Sequence, residues 1–294
     1  MWLCPKPISL VNEAEMQLEI LLHSPGSTTH RTLITVMKII VLMKQVANKD
    51  AVLRIAADEK WINESDISHQ TNESDGYALE EALRTIEAKG EGEVVVCTLG
   101  PQSAKTVIKD ALARGADRAV HVVVDDSKTL SPYQIATAIA GAIRDENADL
   151  IFGGLQSDDA SYGQTGVILA ELLGVPHATI VIEVDRESLG DTLRVKRELE
   201  SGWYQWFTYK LPALMTIQSG ISQIRYASLK GIMAAKKKEI REVTPAIEAF
   251  ASASKIEKVY LPLKSKQTQM LGGGNAKAGA VELVEKLRTE VRVL

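Results

Sequence analysis

The sequence predicts an α/β protein built around an open, mainly parallel sheet of the nucleotide-binding, Rossmann-like type. Between residues 38 and 174, short apolar segments alternate with segments whose apolar residues recur at helical spacing. Gly115 and Gly174 stand where glycine commonly ends a helix, and a glycine-rich loop at 153–166 connects an apolar segment with the next helix. Strands that alternate with helices form right-handed βαβ units, so a parallel sheet is expected.

The elements of this sheet follow one another in a regular order. The apolar segments predict strands at 39–43, 94–99, 119–124 and 150–152, and helical spacing predicts helices at 76–88, 103–114, 132–145 and 164–173. Ser131 followed by Pro132 is typical of a helix N-cap with proline in the first helical position.

The pattern changes after residue 178. Extended segments separated by short turns predict an antiparallel hairpin appended to the parallel sheet, and these segments are 179–184, 193–199, 203–209 and 213–218. No further strand is expected after Tyr226. Residues 232–240 look helical, an extended arm begins at Thr244, and a final amphipathic helix is predicted at 280–288.

Three domains are therefore predicted. Residues 1–36 do not follow the alternating pattern and are assigned as an N-terminal extension, whereas 37–240 form the nucleotide-binding α/β domain. Residues 241–294 form a C-terminal arm that has little of its own to pack against, so we expect it to pack on a partner subunit.

Composition narrows the class of protein. The 294 residues are 45% hydrophobic, enough for a sizeable core, and 34 basic against 38 acidic side chains give no electrostatic reason to expect nucleic acid. No stretch approaches the roughly 20 apolar residues of a membrane span, so a membrane-embedded protein is not expected. The only cysteines, Cys4 and Cys97, give no disulfide framework, which favours a reducing, cytoplasmic compartment.

The loop from Gly153 to Gly166 is the candidate functional element. A strand, a loop of small residues and a helix N-terminus in this order can bind an anion, because the first N–H groups of the helix have no partner within it. The loop matches neither the dinucleotide fingerprint nor the phosphate loop. Asp158 and Asp159 would repel a phosphate and suit ribose hydroxyls better. The alternative is a turn that only connects a strand with a helix.

The remaining residues do not indicate an enzyme with its own catalytic side chains. The five histidines are scattered without metal-ligand spacing, and neither a nucleophile elbow nor a Cys/His pair is present. We predict no catalytic residue and no metal site, and we favour a module that holds a nucleotide.

A longer stretch resembles a known family. Residues 195–216 are similar to the signature of the electron transfer flavoprotein beta subunit, and the matching positions are Arg197, Glu200, Gly202, Gln205, Pro212, Leu214, Met215 and Thr216. Ser201 and Phe207 depart from the signature. Residues 37–46, 156–166 and 225–238 also resemble the opening strand, nucleotide loop and partner-docking segment of that family, in the same order.

The resemblance implies an electron carrier that forms a heterodimer with an alpha subunit holding the redox FAD. The beta subunit would hold AMP or, in electron-bifurcating members with an NADH site, a second FAD. The residues implied to bind this nucleotide are Leu42, Asn72, Glu73, Ser74, Asp75, Leu99, Gln156, Ser157, Asp158, Asp159, Ser161, Gly163, Gln164, Thr165 and Gly166. Among them, Asn72 and Asp75 are expected to contact base or ribose, and Gln164 to Gly166 to contact phosphate.

The resemblance also implies a docking surface for an acyl-CoA dehydrogenase of fatty acid β-oxidation, a similar flavoprotein or a quinone oxidoreductase. Leu229 would be the apolar anchor, and the other implied docking residues are Arg225, Tyr226, Lys236 and Lys237. The alternative for Leu229 is a place in the chain's own core. Trp203, Tyr204 and Trp206 either pack against a partner or flavin or bury a face of the sheet.

One alternative comes from another class of protein. A stand-alone adenine-nucleotide-binding regulator of the universal-stress type has a similar fold. Such a protein would form a homodimer and need no alpha subunit, but it would leave the hairpin and the arm unexplained.

Overall fold

The computed structural model describes residues 36–246, 256–262 and 268–293. The predicted N-terminal extension therefore lies outside the described residues, apart from Val36. The strands are β1 (Lys38–Leu42), β2 (Gln45–Ala47), β3 (His69–Thr71), β4 (Glu93–Gly100), β5 (Arg118–Val123), β6 (Leu150–Gly154), β7 (His177–Asp185), β8 (Thr192–Glu198), β9 (Tyr204–Lys210), β10 (Ala213–Ile217) and β11 (Ile240–Val243). The helices are α1 (Glu73–Lys89), α2 (Lys105–Arg114), α3 (Pro132–Ile143), α4 (Thr165–Leu173), α5 (Leu229–Ala235) and α6 (Ala276–Lys286).

Nine of these strands form one central sheet in the order β11-β5-β4-β1-β6-β10-β7-β8-β9. The first seven run parallel, and β8 and β9 continue the sheet antiparallel. The predicted fold class, a mainly parallel sheet with an appended antiparallel hairpin, is confirmed. A separate antiparallel pair, β2 and β3, was not predicted from the sequence.

Helices cover both faces of the sheet. Side chains of a strand alternate between the two faces, and in β1 the side chains of Ile39 and Val41 enter one apolar core while that of Ile40 enters the other. The first core includes residues of α1, α2 and α5, and the second includes residues of α3 and α4. The protein is thus a three-layer α/β/α structure.

The segment after Tyr226 corrects one prediction. The helix α5 begins at Leu229, where the hydroxyl of Ser228 accepts a hydrogen bond from the Gly231 N–H at 3.0 Å, and it ends before Lys236. Residues 240–243 then pair with β5 as a parallel edge strand. The expectation of a helix over 232–240 and of no later strand is wrong, because β11 gains its ladder of hydrogen bonds only through tertiary contact with β5.

The C-terminal helix begins earlier than predicted. The side chain of Asn275 accepts hydrogen bonds from the N–H groups of Lys277 and Ala278 at 3.0 and 3.2 Å, which fixes the start of α6 at Ala276. None of the residues of α6 is buried, and Val281 and Leu283 are exposed. Part of the apolar surface of α6 is therefore exposed.

Candidate functional site

A cleft of about 320 Å³ lies at the carboxyl ends of the central strands. The connection from β1 to β4 passes through α1 on one face, and the connection from β5 to β6 passes through α3 on the other. β4 and β6 both pair with β1, so the chain reverses its strand order here. Ligands of open α/β sheets bind at such a switch point, and the volume is typical of small-molecule sites.

Most of the predicted nucleotide residues line this cleft. They are Leu42, Asn72, Asp75, Leu99, Gln156, Ser157, Asp159, Gly163, Gln164, Thr165 and Gly166. Glu73, Ser74, Asp158 and Ser161 are not among the lining residues. The side chains of Ser74, Asp158 and Ser161 instead bind neighbouring backbone groups. For example, the Glu73 N–H donates to the Asp158 carboxylate at 3.1 Å, and the Ser161 hydroxyl donates to the Ser157 carbonyl at 3.1 Å.

Asn72 and Ser74 hold the glycine-rich loop against the start of α1. The side-chain amide of Asn72 donates to the Gln156 carbonyl at 2.9 Å and accepts from the Asp158 N–H at 2.8 Å. The Ser74 hydroxyl donates to the same Gln156 carbonyl at 2.9 Å. The polar groups of Asn72 are thus used within the protein, which supports a role in positioning the loop rather than in contacting base or ribose.

Asp75 joins the ends of the two strands that flank the switch point. Its buried carboxylate accepts hydrogen bonds from the Lys44 N–H at 2.7 Å, just after β1, and from the Gly154 N–H at 3.0 Å, at the end of β6. Burial raises the pKa of Asp75 to about 7, although the two backbone N–H groups favour the ionised form. Both oxygens are occupied, so Asp75 also shapes the cleft from within.

Lys44 is a cleft residue that was not among the predicted site residues. Its ammonium lies 2.7 Å from the Asp159 carboxylate and 3.4 Å from the Ser157 hydroxyl. Burial opposes ionisation of Asp159, but the charge and hydrogen bond of Lys44 prevail and lower the pKa of that carboxyl. The position of Lys44, directly after a strand at the switch point, is the sequence signal that could have identified it. This ion pair reduces the repulsion that the acidic loop would exert on a phosphate.

The N-terminus of α4 opens into the cleft. Gln164 at its N-cap makes no side-chain hydrogen bond to the first turn, whose residues Thr165 and Gly166 line the cleft. In α3, by contrast, Ser131 and Gln134 form a reciprocal capping box. A β-carbon on Gly166 would lie 2.7 Å from the Thr216 methyl group, so glycine lets α4 approach β10. The uncapped first turn can donate N–H groups to an anion.

Part of the cleft lining is apolar. It is formed by Leu42, Cys97, Leu99, Leu130, Ile135 and Ile139. Burial raises the pKa of the Cys97 thiol to about 12, so this side chain stays protonated and acts as a small apolar group. The cleft therefore offers an apolar surface, and at the α4 end N–H groups that suit an anion.

Comparison with known proteins agrees with this geometry. The family model of the electron transfer flavoprotein domain matches residues 60–248. The chain is 35% identical to electron transfer flavoprotein subunit beta of Methylophilus methylotrophus over 245 residues, covering 80% of this chain and 93% of that protein. It is also 35% identical to the human subunit beta over 211 residues, covering 71% and 82% of the two chains. The chain belongs to the family of electron transfer flavoprotein beta subunits. The mitochondrial subunit beta of Oryza sativa subsp. indica is 35% identical over 262 residues, covering 88% of this chain and all of the rice protein.

The segment that resembles the docking region of this family presents an apolar surface. Tyr226 is 94% exposed and Leu229 is 78% exposed, and Ile232 and Met233 on α5 are exposed beside them. We call these four side chains the α5 patch. The alternative place for Leu229, in the chain's own core, is therefore wrong.

The basic residues of this segment have different surroundings. Arg225 donates to the Glu80 carboxylate at 2.9 Å and to that of Glu87 at 2.9 Å, so it ties the segment to α1 and its pKa is raised by these partners. Lys236 and Lys237 are exposed. The next residue, Lys238, donates to the carbonyl groups of Leu112 and Ala116 at 3.0 and 2.6 Å and closes the C-terminus of α2.

The aromatic residues of the hairpin lie at an edge of the sheet. Trp203 and Tyr204 are exposed, so the alternative that they bury a sheet face is wrong for these two. The Lys196 ammonium lies 5.0 Å from the centre of the Tyr204 ring, and the Arg194 guanidinium lies 4.5 Å from that of Trp206. Both cations also face carboxylates, Arg194 that of Asp185 at 3.7 Å and Lys196 that of Glu183 at 3.4 Å. The exposed aromatic rings of this edge are suited to protein contact.

Two classes of site are not found in the part of the chain that the structure describes. None of its helices combines the length and the apolar character that crossing a membrane requires. Within the same residues, no three side chains of His, Cys, Asp or Glu converge as a metal site would require.

Proposed function

We propose that the chain is the beta subunit of a heterodimeric electron carrier and holds an adenine nucleotide in the cleft. The nucleotide is AMP or a second FAD, and the alpha subunit carries the redox FAD. The observation that supports this proposal most directly is that one cleft, at the switch point of the sheet, is lined both by the uncapped N-terminus of α4 and by apolar side chains.

The groups that would hold the nucleotide follow from this arrangement. The N–H groups of Thr165 and Gly166, with the Lys44 ammonium, favour a phosphate group. Leu42 and Leu99 offer an apolar surface to adenine. Asn72 and Asp75 act through the loop and the strand ends that they hold. AMP supplies no redox chemistry, whereas FAD accepts one or two electrons.

The number and kind of bound nucleotides test the proposal. The chain is purified with its alpha subunit, the ligands are released by denaturation, and AMP and FAD are counted per heterodimer by chromatography and mass spectrometry. One AMP and one FAD identify a simple carrier with a structural nucleotide in the cleft. Two FAD and no AMP identify a second redox centre, and NADH oxidation must then be measured to test for bifurcation. A stable homodimer without flavin would support the stand-alone regulator instead.

We further propose that the α5 patch docks a flavoprotein partner such as an acyl-CoA dehydrogenase. Its exposure supports this role, because contiguous apolar residues on a surface mark interaction sites. The exposed Lys236 and Lys237 beside it would attract an acidic partner and raise the association rate.

Leu229→Glu is expected to slow reduction of the heterodimer by its dehydrogenase at least about ten-fold, because a central apolar anchor is worth 2 kcal/mol or more at an interface. The measurement is flavin reduction followed by stopped-flow absorbance. Val52→Glu is the matched control, since Val52 is also 78% exposed but lies far along the chain in the 48–68 loop. Equal rates for Leu229→Glu and wild type, with unchanged flavin content, would place docking elsewhere.

A further inference from the structure

A small hairpin in the 48–68 connection lies at the mouth of the cleft. Residues 54–63 form it: Ile55 and Ile62 pair as an isolated antiparallel bridge, the Ala56 N–H donates to the Trp61 carbonyl at 2.8 Å, and the Asn63 N–H donates to the Arg54 carbonyl at 2.7 Å. We call residues 54–63 the mouth hairpin. Trp61 and Ile62 face the cleft as part of its lining.

The C-terminal arm contacts the mouth hairpin although the two are about 200 residues apart in sequence. The Val259 N–H donates to the Glu59 carbonyl at 2.8 Å, and the Lys258 ammonium lies 2.8 Å from the Glu59 carboxylate. The Lys60 ammonium also donates to the Glu257 carbonyl. The backbone and side-chain contacts together seat residues 256–259 on the turn of the hairpin.

The same arm segment reaches the cleft. Ile256 is half-buried and belongs to the cleft lining together with Trp61 and Ile62. Val259 is also half-buried, whereas Glu257 and Lys258, which lie between Ile256 and Val259 in the sequence, are exposed. Ile256 therefore extends the part of the cleft lining that Trp61 and Ile62 of the mouth hairpin form.

We propose that the C-terminal arm is a positioning element of the nucleotide site: by holding the mouth hairpin in place, residues 256–259 slow the release of the nucleotide. This inference rests on the proposed function. A two-stranded hairpin is only marginally stable by itself. The position of the mouth hairpin at the cleft therefore depends on the residues that it packs against. The arm supplies a backbone hydrogen bond and an ion pair there.

Val259→Pro tests this role because proline removes the N–H that binds the Glu59 carbonyl. The heterodimer is loaded with a fluorescent AMP analogue, and its release is followed by stopped-flow fluorescence after addition of excess AMP. Loss of one backbone hydrogen bond is expected to accelerate release about five-fold. Met270→Pro is the matched control: it places proline at an exposed arm position away from the hairpin contact, and this variant should release the analogue at the wild-type rate.

A second variant keeps the test decisive if Val259→Pro does not fold. Ile256→Ala leaves the arm backbone unchanged and removes only the side chain that lines the cleft, and it should also accelerate release. Wild-type rates in both variants would overturn the role of the arm while leaving nucleotide binding intact. If the wild-type heterodimer contains no adenine nucleotide and binds no analogue, the proposed function itself fails.

Discussion

Gly154→Ala is expected to destabilise the protein by about 3 kcal/mol and to weaken nucleotide binding. A β-carbon at Gly154 would collide with the Ser74 hydroxyl and the Asp75 carboxylate, and it would lie 2.8 Å from the Asp75 backbone nitrogen. Rotating side chains cannot relieve the last contact, so α1 must move away from the end of β6. The movement would break the hydrogen bond between the Gly154 N–H and Asp75 and loosen the loop that Asn72 holds.

Denaturant unfolding and AMP titration measure the two effects. Gly141→Ala is the matched control, because it makes the same chemical change within α3 where an added β-carbon meets no atom within 4 Å. This control should retain wild-type affinity and gain a little stability, since alanine favours a helix over glycine. If Gly154→Ala unfolds at the wild-type denaturant concentration and binds AMP equally well, the close packing of α1 on β6 does not shape the site.

The sequence predicts the strands β1, β4, β5 and β6 well because they are buried on both faces. β4, for example, reads as a continuous apolar run, and its residues from Val94 onward are buried between the two helix layers. The glycine-rich loop is recognisable for a related reason, since Gly154 and Gly166 stand where helices approach strands too closely for a β-carbon. A glycine in the sequence therefore indicates such a close approach without knowledge of the fold.

Other features depend on contacts between distant residues. Asn72 and Asp75 have the side chains of ligand-binding residues, but only the folded chain shows that their oxygen atoms accept hydrogen bonds from the backbone of Asp158, Lys44 and Gly154. The polar edge strand β11 has too weak a pattern to be recognised without β5 beside it. The arm and the mouth hairpin are about 200 residues apart in sequence, so no local sequence pattern predicts their contact.

The other large effect is expected at the opposite end of the sheet, where Glu146 binds three basic side chains. Its carboxylate accepts hydrogen bonds from Arg118 at 2.6 Å, from Arg241 at 2.7 Å and from Lys38 at 3.3 Å. These bonds, led by those of Arg118, lower the pKa of Glu146 from 4.5 to about 2 although burial opposes ionisation. Because the side chain is only 10% exposed, we expect Glu146→Gln to cost on the order of 3 kcal/mol at pH 7.

The pH dependence distinguishes this charge effect from a loss of packing. A depressed pKa in the folded state stabilises the protein above the unfolded value of 4.5, and that contribution is lost as the pH falls toward 2. The difference in unfolding free energy between wild type and Glu146→Gln should therefore be constant above about pH 5.5 and shrink steadily below pH 4.5.

Glu290→Gln is the control variant. It changes an exposed i,i+4 pair with Lys286 and should leave the unfolding midpoint unchanged at every pH. A pH-independent difference for Glu146→Gln would show that shape rather than charge holds this cluster together. Both variants should bind AMP like wild type, because Glu146 lies at the amino ends of the strands and the cleft lies at their carboxyl ends.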